Sequence, residues 1–141
     1  MPYVLGLSGG GSVALRLAID YPNSVSKIVL GSSVARFKEL KMPKFFENLR
    51  KLKFLPSVRK AEKFYILNEQ AKDITKEELK QIKAKVLVIN GGKKDVVPIS
   101  EAEFIHSNLK NSEKCIFEKD SHSSYTRKKY FYDKVIYFLK E

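Results

Sequence analysis

Three side chains in this sequence have the types and the chain order needed for nucleophilic attack on a carbonyl. Ser8 sits in Gly6-Leu7-Ser8-Gly9-Gly10, Asp95 in Gly91-Gly92-Lys93-Lys94-Asp95-Val96-Val97-Pro98, and His122 in Asp120-Ser121-His122-Ser123-Ser124. A serine hydroxyl is a poor nucleophile until an imidazole takes its proton. The imidazole in turn needs a carboxylate to fix its tautomer and steady the positive charge it acquires. Asp95 is the only carboxylate of its loop. The second histidine, His106, falls mid-helix in Phe104-Ile105-His106-Ser107-Asn108 and reads as a helix-surface residue. Each candidate alone has a plainer reading: a helix cap for Ser8, a turn residue for Asp95, a loop histidine for His122. Jointly those readings are harder to sustain, because each residue follows directly on a predicted strand.

The elements that must hold these residues are legible from apolar periodicity. A short strand over 3–7 leads into the serine turn, and a helix over 10–21 ends at Tyr21-Pro22-Asn23. Glycines two before and two after Ser8 are expected to make room for an abrupt strand-to-helix reversal. Gly10 and Gly11 then start a helix whose first N–H groups point back toward the serine. Ser26–Gly31 is a second apolar strand. Lys85–Asn90 is the strongest, a continuous β-branched run of the kind buried on both faces of a parallel sheet. A helix near 100–110, a strand near 114–118 and a helix near 127–140 follow. The last helix sets Tyr130, Phe131, Val135, Phe138 and Leu139 on roughly one side. Thr75 with Glu78 has the spacing of a capping box. Alternating strands and helices imply right-handed βαβ units and a parallel α/β sheet of about four strands. In such sheets chemistry gathers beyond the carboxyl ends of the strands.

These residues together resemble the α/β-hydrolase superfamily, from the nucleophile elbow to the end of the chain. Gly6-Leu7-Ser8-Gly9-Gly10 with Val13-Ala14-Leu15 and Tyr21-Pro22 is similar to that family's elbow and following helix. Val25–Leu30 looks like its next strand, Val86–Gly91 with Asp95 and Val97-Pro98 like its acid loop, and Ser121-His122-Ser123 like its histidine loop. A glycine usually precedes that histidine, and Ser121 stands there instead. The resemblance implies Ser8 as nucleophile, Asp95 as acid, His122 as base, and the Gly9 N–H as an oxyanion donor. It implies a serine hydrolase acting on an ester, thioester or amide of a small acyl compound, with no cofactor and no metal. It also implies a single partial domain over 1–141 with a helical cap-like insertion over 34–82. The family places several strands and an oxyanion loop before its elbow, so an N-terminally truncated fold is expected, with activity impaired. The alternative is a non-catalytic fragment or interaction module that keeps the scaffold. The strand at 3–7 would then be an open edge, suited to self-association or to a complementing N-terminal fragment.

Composition narrows the partners. The 141 residues carry 27 Lys and Arg against 16 Asp and Glu, a formal charge of +11. The excess is mostly lysine spread along the chain, densest over 36–63, where phenylalanines interleave. Amphipathic helices with lysines outward explain that pattern more simply than a base-stacking groove, so no nucleic-acid partner is expected. No apolar run approaches the length of a membrane span. The lone cysteine, Cys115, excludes an internal disulfide and is expected to be a small buried apolar residue. With no leader pattern at the start, the expected setting is cytoplasmic.

Overall fold

The computed structural model describes residues 1–40, 51, 56, 59, 63 and 71–141. Its centre is strand β3 (Lys85–Gly91), where every residue after Lys85 is buried. A strand so apolar on both faces has to be covered on both, and it is. β1 (Tyr3–Leu7), β2 (Lys27–Gly31), β3 and β4 (Ser112–Phe117) form one parallel sheet in the order β1-β2-β3-β4. Helices α1 (Gly9–Asp20), α2 (Lys76–Leu79) and α3 (Ile99–Asn108) pack on one face, and α4 (Lys129–Lys140) on the other.

Strand alternation sorts the core into two layers. Ile28, Leu30, Val86 and Val88 point to the first face, where Ala14, Leu15 and Ala18 of α1, Leu79 of α2 and Ile105 of α3 meet them. Val29, Leu87 and Ile89 point to the second, under Phe131, Val135 and Phe138 of α4 and the ring of Tyr125. Each such large apolar side chain contributes about 1.5–3 kcal/mol through burial. Tyr130, expected on the same side of α4 as Phe131, stays half-exposed at the margin of the layer, its ring packed on Phe117 with centroids 4.8 Å apart and its hydroxyl bonded to Asp120. A helix face spans about 100° of arc, and the residue before Phe131 falls at its margin. Cys115 is half-buried beside the second layer, and burial raises its thiol pKa.

β1 is an outer strand. Leu5 aligns with Val29 and so faces the same side as the second layer, yet it stays 49% exposed because α4 covers β2 and β3 rather than β1. Among the described residues nothing pairs with its outer edge. The cap expected over 34–82 and the basic stretch 36–63 lie largely outside the described residues. Of the parts described, Phe37–Glu39 is one 3-10 turn and Lys76–Leu79 is a single helical turn. That helical turn starts with the capping box anticipated at Thr75 and Glu78. Arg36 is committed internally: its Nε donates to Glu101 at 2.6 Å and its guanidinium stacks on Phe104.

Candidate active site

The parallel register lines up the carboxyl ends of the strands. Leu7 aligns with Gly31, Gly31 with Ile89, and Gly91 with Phe117. Ser8, Ser32, Asp95 and His122 each lie beyond one of those ends, at one rim of the sheet.

Ser8 has φ 53° and ψ −124°, a region that non-glycine residues rarely enter. It is held there from both sides: its N–H donates to the Gly31 carbonyl at 2.7 Å, and its own carbonyl accepts from the Gly11 N–H at 3.0 Å. The plain capping role fails, since the hydroxyl makes no bond to the helix it precedes. Its hydroxyl is therefore presented and not consumed. The glycine expectation needs a correction. A Cβ on Gly6 would lie 2.5 Å from the Gly10 carbonyl oxygen, so that glycine is required by the close approach of strand and helix. A Cβ on Gly10 would meet nothing, whereas one on Gly11 would collide with the Ser33 hydroxyl. The second tight contact falls three residues after the serine because the helix turns its third residue, not its second, toward Ser33 in the loop after β2. Gly9 opens α1, where the first N–H groups have no partner within the helix.

The acid and the imidazole are joined. The Asp95 side chain is buried and accepts four hydrogen bonds: at Oδ1 from His122 Nδ1 (2.9 Å) and the Val97 N–H (3.0 Å), at Oδ2 from the Ser32 hydroxyl (2.5 Å) and the Gly91 N–H (3.0 Å). Burial pushes its pKa up, but bonds from His122, Ser32, Val97 and Gly91 outweigh that, and the net shift is downward. Asp95 is thus ionised at neutral pH and can only accept. His122 must therefore present an N–H at Nδ1, and in a neutral imidazole this leaves the lone pair on Nε2. No hydrogen bond joins Ser8 and His122 among the described residues.

Four further residues shape the rim, none of them singled out by sequence. Ser32, at φ 45°, reaches Asp95 and also lies 2.6 Å from the Tyr125 hydroxyl. Asn90 is buried in β3 and donates from Nδ2 to the carbonyls of Gly91 (3.1 Å) and Val97 (3.0 Å), which ties the two ends of the acid loop together. Glu101 is buried in the first turn of α3, where its carboxylate accepts the N–H groups of Ala35 and Arg36 and the Arg36 guanidinium. The serines after β2 were visible only as a turn signal, and Tyr125 as one aromatic among seven tyrosines. His106 is occupied elsewhere, with Nδ1 2.8 Å from the Ser112 hydroxyl at the turn from α3 to β4.

Comparison with known proteins follows the same lines. The sequence matches no protein-family profile and no curated protein. Solved structures do match. A serine hydrolase involved in carbazole degradation is similar at 20% identity with a TM-score of 0.71, covering 98% of this chain and 63% of its own. A bromoperoxidase from Bacillus anthracis is similar at 17% identity with a TM-score of 0.73, over 99% of this chain and 67% of its own. An esterase from Exiguobacterium antarcticum is similar at 20% identity with a TM-score of 0.70, over 97% and 66% respectively. The chain spans about two thirds of the length of these proteins. A four-stranded parallel sheet, a strained serine between β1 and α1, and near-complete overlap with these structures assign the chain the α/β-hydrolase fold.

Proposed function

We propose that this chain carries the catalytic residues of a serine hydrolase that cleaves an ester, thioester or amide of a small acyl compound. The observation that carries the reading is the backbone of Ser8, held at φ 53° at the rim where the buried Asp95 pairs with His122. Strain of this kind costs on the order of 1–3 kcal/mol and persists where surrounding structure enforces it. Its use is to lift a hydroxyl clear of the helix and toward a carbonyl carbon.

In the proposed reaction the Ser8 oxygen bonds to the substrate carbonyl carbon while its proton passes to His122 Nε2. The oxyanion that forms is met by the Gly9 N–H. Collapse of the tetrahedral species breaks the bond to the leaving group, which takes the proton from His122 and departs. Water then adds to the acyl-serine, again losing its proton to His122, and the acid is released with Ser8 regenerated. Asp95 stays ionised throughout and steadies the imidazolium. No step requires a metal or an organic cofactor. Gly9 is the one oxyanion donor we identify, and a single such donor is worth on the order of 10²–10³ in rate.

A fluorophosphonate probe tests the reading directly. The protein should become labelled on Ser8, labelling should vanish in Ser8→Ala and His122→Ala, and His106→Ala should label normally. A folded chain that stays unlabelled refutes the catalytic assignment and favours a scaffold retained for interaction.

A further inference from the structure

We infer that Ser32 and Tyr125 form a directed pair of hydroxyls that positions the acid of the proposed triad. The inference rests on the hydrolase reading for its catalytic meaning, though not for its geometry. Ser32 follows β2, and its N–H donates to the Ile89 carbonyl at 2.8 Å, which anchors it between β2 and β3. Its hydroxyl oxygen lies 2.5 Å from Asp95 Oδ2 and 2.6 Å from the Tyr125 hydroxyl, with both Ser32 and Tyr125 buried.

Proton counting sets the direction of the chain. An ionised carboxylate has no proton to give, so the single Ser32 hydroxyl proton points at Asp95. The Ser32–Tyr125 bond must then be donated by the phenol. Tyr125 keeps that proton: burial pushes its pKa up to about 12 against a smaller lowering by the Ser32 hydrogen bond, and the nearby charges of Asp95 and Asp120 act with burial. The resulting order runs from the Tyr125 O–H to Ser32 Oγ, and from the Ser32 O–H to Asp95 Oδ2. Bonds polarised in series strengthen one another, and those ending on a charge are the stronger ones. Together with the Gly91 N–H they fix Oδ2, and this leaves Oδ1 aimed at His122 Nδ1.

Ser32 holds this place at φ 45°, where any side chain is strained. Glycine would be the easier residue there by backbone alone. Strain retained at a buried hydroxyl that touches the acid is the mark of a positioning role. Tyr125 also fills the second core layer between Phe117 and Phe131, with ring centroids 5.6 Å from each, so its ring is structural and its hydroxyl is the functional part.

The test compares Ser32→Ala, Ser32→Gly, Tyr125→Phe and the double variant Ser32→Ala with Tyr125→Phe. Two readouts are taken: hydrolysis of an activated ester such as p-nitrophenyl acetate, and titration of the Asp95 carboxyl by ¹³C NMR, with Asp95→Asn as the assignment control. We expect Ser32→Ala to lower kcat roughly tenfold with KM within about twofold, the effect of one charge-assisted hydrogen bond. Ser32→Gly should lose as much kcat although it relieves the backbone. Tyr125→Phe should lose less, and the double variant should be no worse than Ser32→Ala, because the phenol acts only through the serine. The Asp95 carboxyl should titrate higher in both serine variants. Wild-type kcat in Ser32→Gly, additive losses in the double variant, or an unmoved Asp95 titration would each overturn the inference. A wild-type protein without Ser8-dependent turnover would remove the hydrolase reading alone, and the carboxyl titration would still decide the pair.

Discussion

Replacing Asp95 by asparagine probes stability and chemistry with a single atom's difference. The aspartate accepts four hydrogen bonds, two at each oxygen. An asparagine has one carbonyl oxygen and one NH₂, so two of the four donors will face another donor. With the oxygen kept toward His122 and Val97, the NH₂ faces Ser32 and Gly91. The Ser32 hydroxyl rotates to accept, but the Gly91 N–H cannot. With the amide flipped, the NH₂ faces His122 and Val97. The imidazole shifts its proton to Nε2 and accepts at Nδ1, but the Val97 N–H cannot respond. Either orientation strands one buried backbone N–H, at about 1–3 kcal/mol. Losing the charge from the remaining bonds adds about 1 kcal/mol more, for a total near 2–4 kcal/mol. Urea unfolding at neutral pH should show that loss, and the melting temperature should fall by roughly 5–15 °C. Turnover should fall on the order of 10³–10⁴-fold, either because nothing steadies the imidazolium or because the base holds its proton on the wrong nitrogen. An Asp95→Asn protein within about 0.5 kcal/mol of wild type and within tenfold of its rate would refute both the bond inventory and the role of the acid.

Two further expectations concern the scaffold. Gly6→Ala should destabilise by several kcal/mol, about as much as a badly overpacked core site, because its Cβ meets backbone that has no rotamer to change. Gly10→Ala should be neutral or stabilising, since it adds a helix-favouring methyl in open space, and thermal melts of the two variants give the contrast. On the acid side, Glu78 has its carboxyl pKa lowered to about 2, first by the Thr75 backbone N–H and then by Arg16. A depressed native value contributes stability above the ordinary carboxylate range that is lost as the pH falls from about 4.5 toward 2. Glu78→Gln should therefore cost stability at neutral pH and little near pH 2, so its urea midpoint should converge on that of wild type in acid. A difference that stays constant with pH would mean that the capping geometry alone, and not the charge, is at work.

The sequence on its own determined the order and type of every described major element. The continuous apolar run of β3 marked a strand buried on both faces, and the amphipathic periods between the strands marked helices that cover the sheet. It also placed Ser8, Asp95 and His122 just after strands, because a parallel sheet gathers its strand ends at one rim whatever the side chains. Thr75 and Glu78 were legible for a similar reason, since a capping box is a contact across three residues. Tertiary structure alone decided what crosses between elements. Ser32 and Tyr125 are 93 residues apart yet share a hydrogen bond, and Glu101 closes on Ala35 and Arg36 from the start of another helix. Spacing correctly marked Gly6, but which glycine after Ser8 has a tight contact depended on how α1 packs near Ser33, and the answer was Gly11 where spacing suggested Gly10. Local patterns encode periodicity and turns, which are short-range. The hydrogen bonds that aim a buried carboxylate are set by register and packing, and those exist only once the sheet has formed.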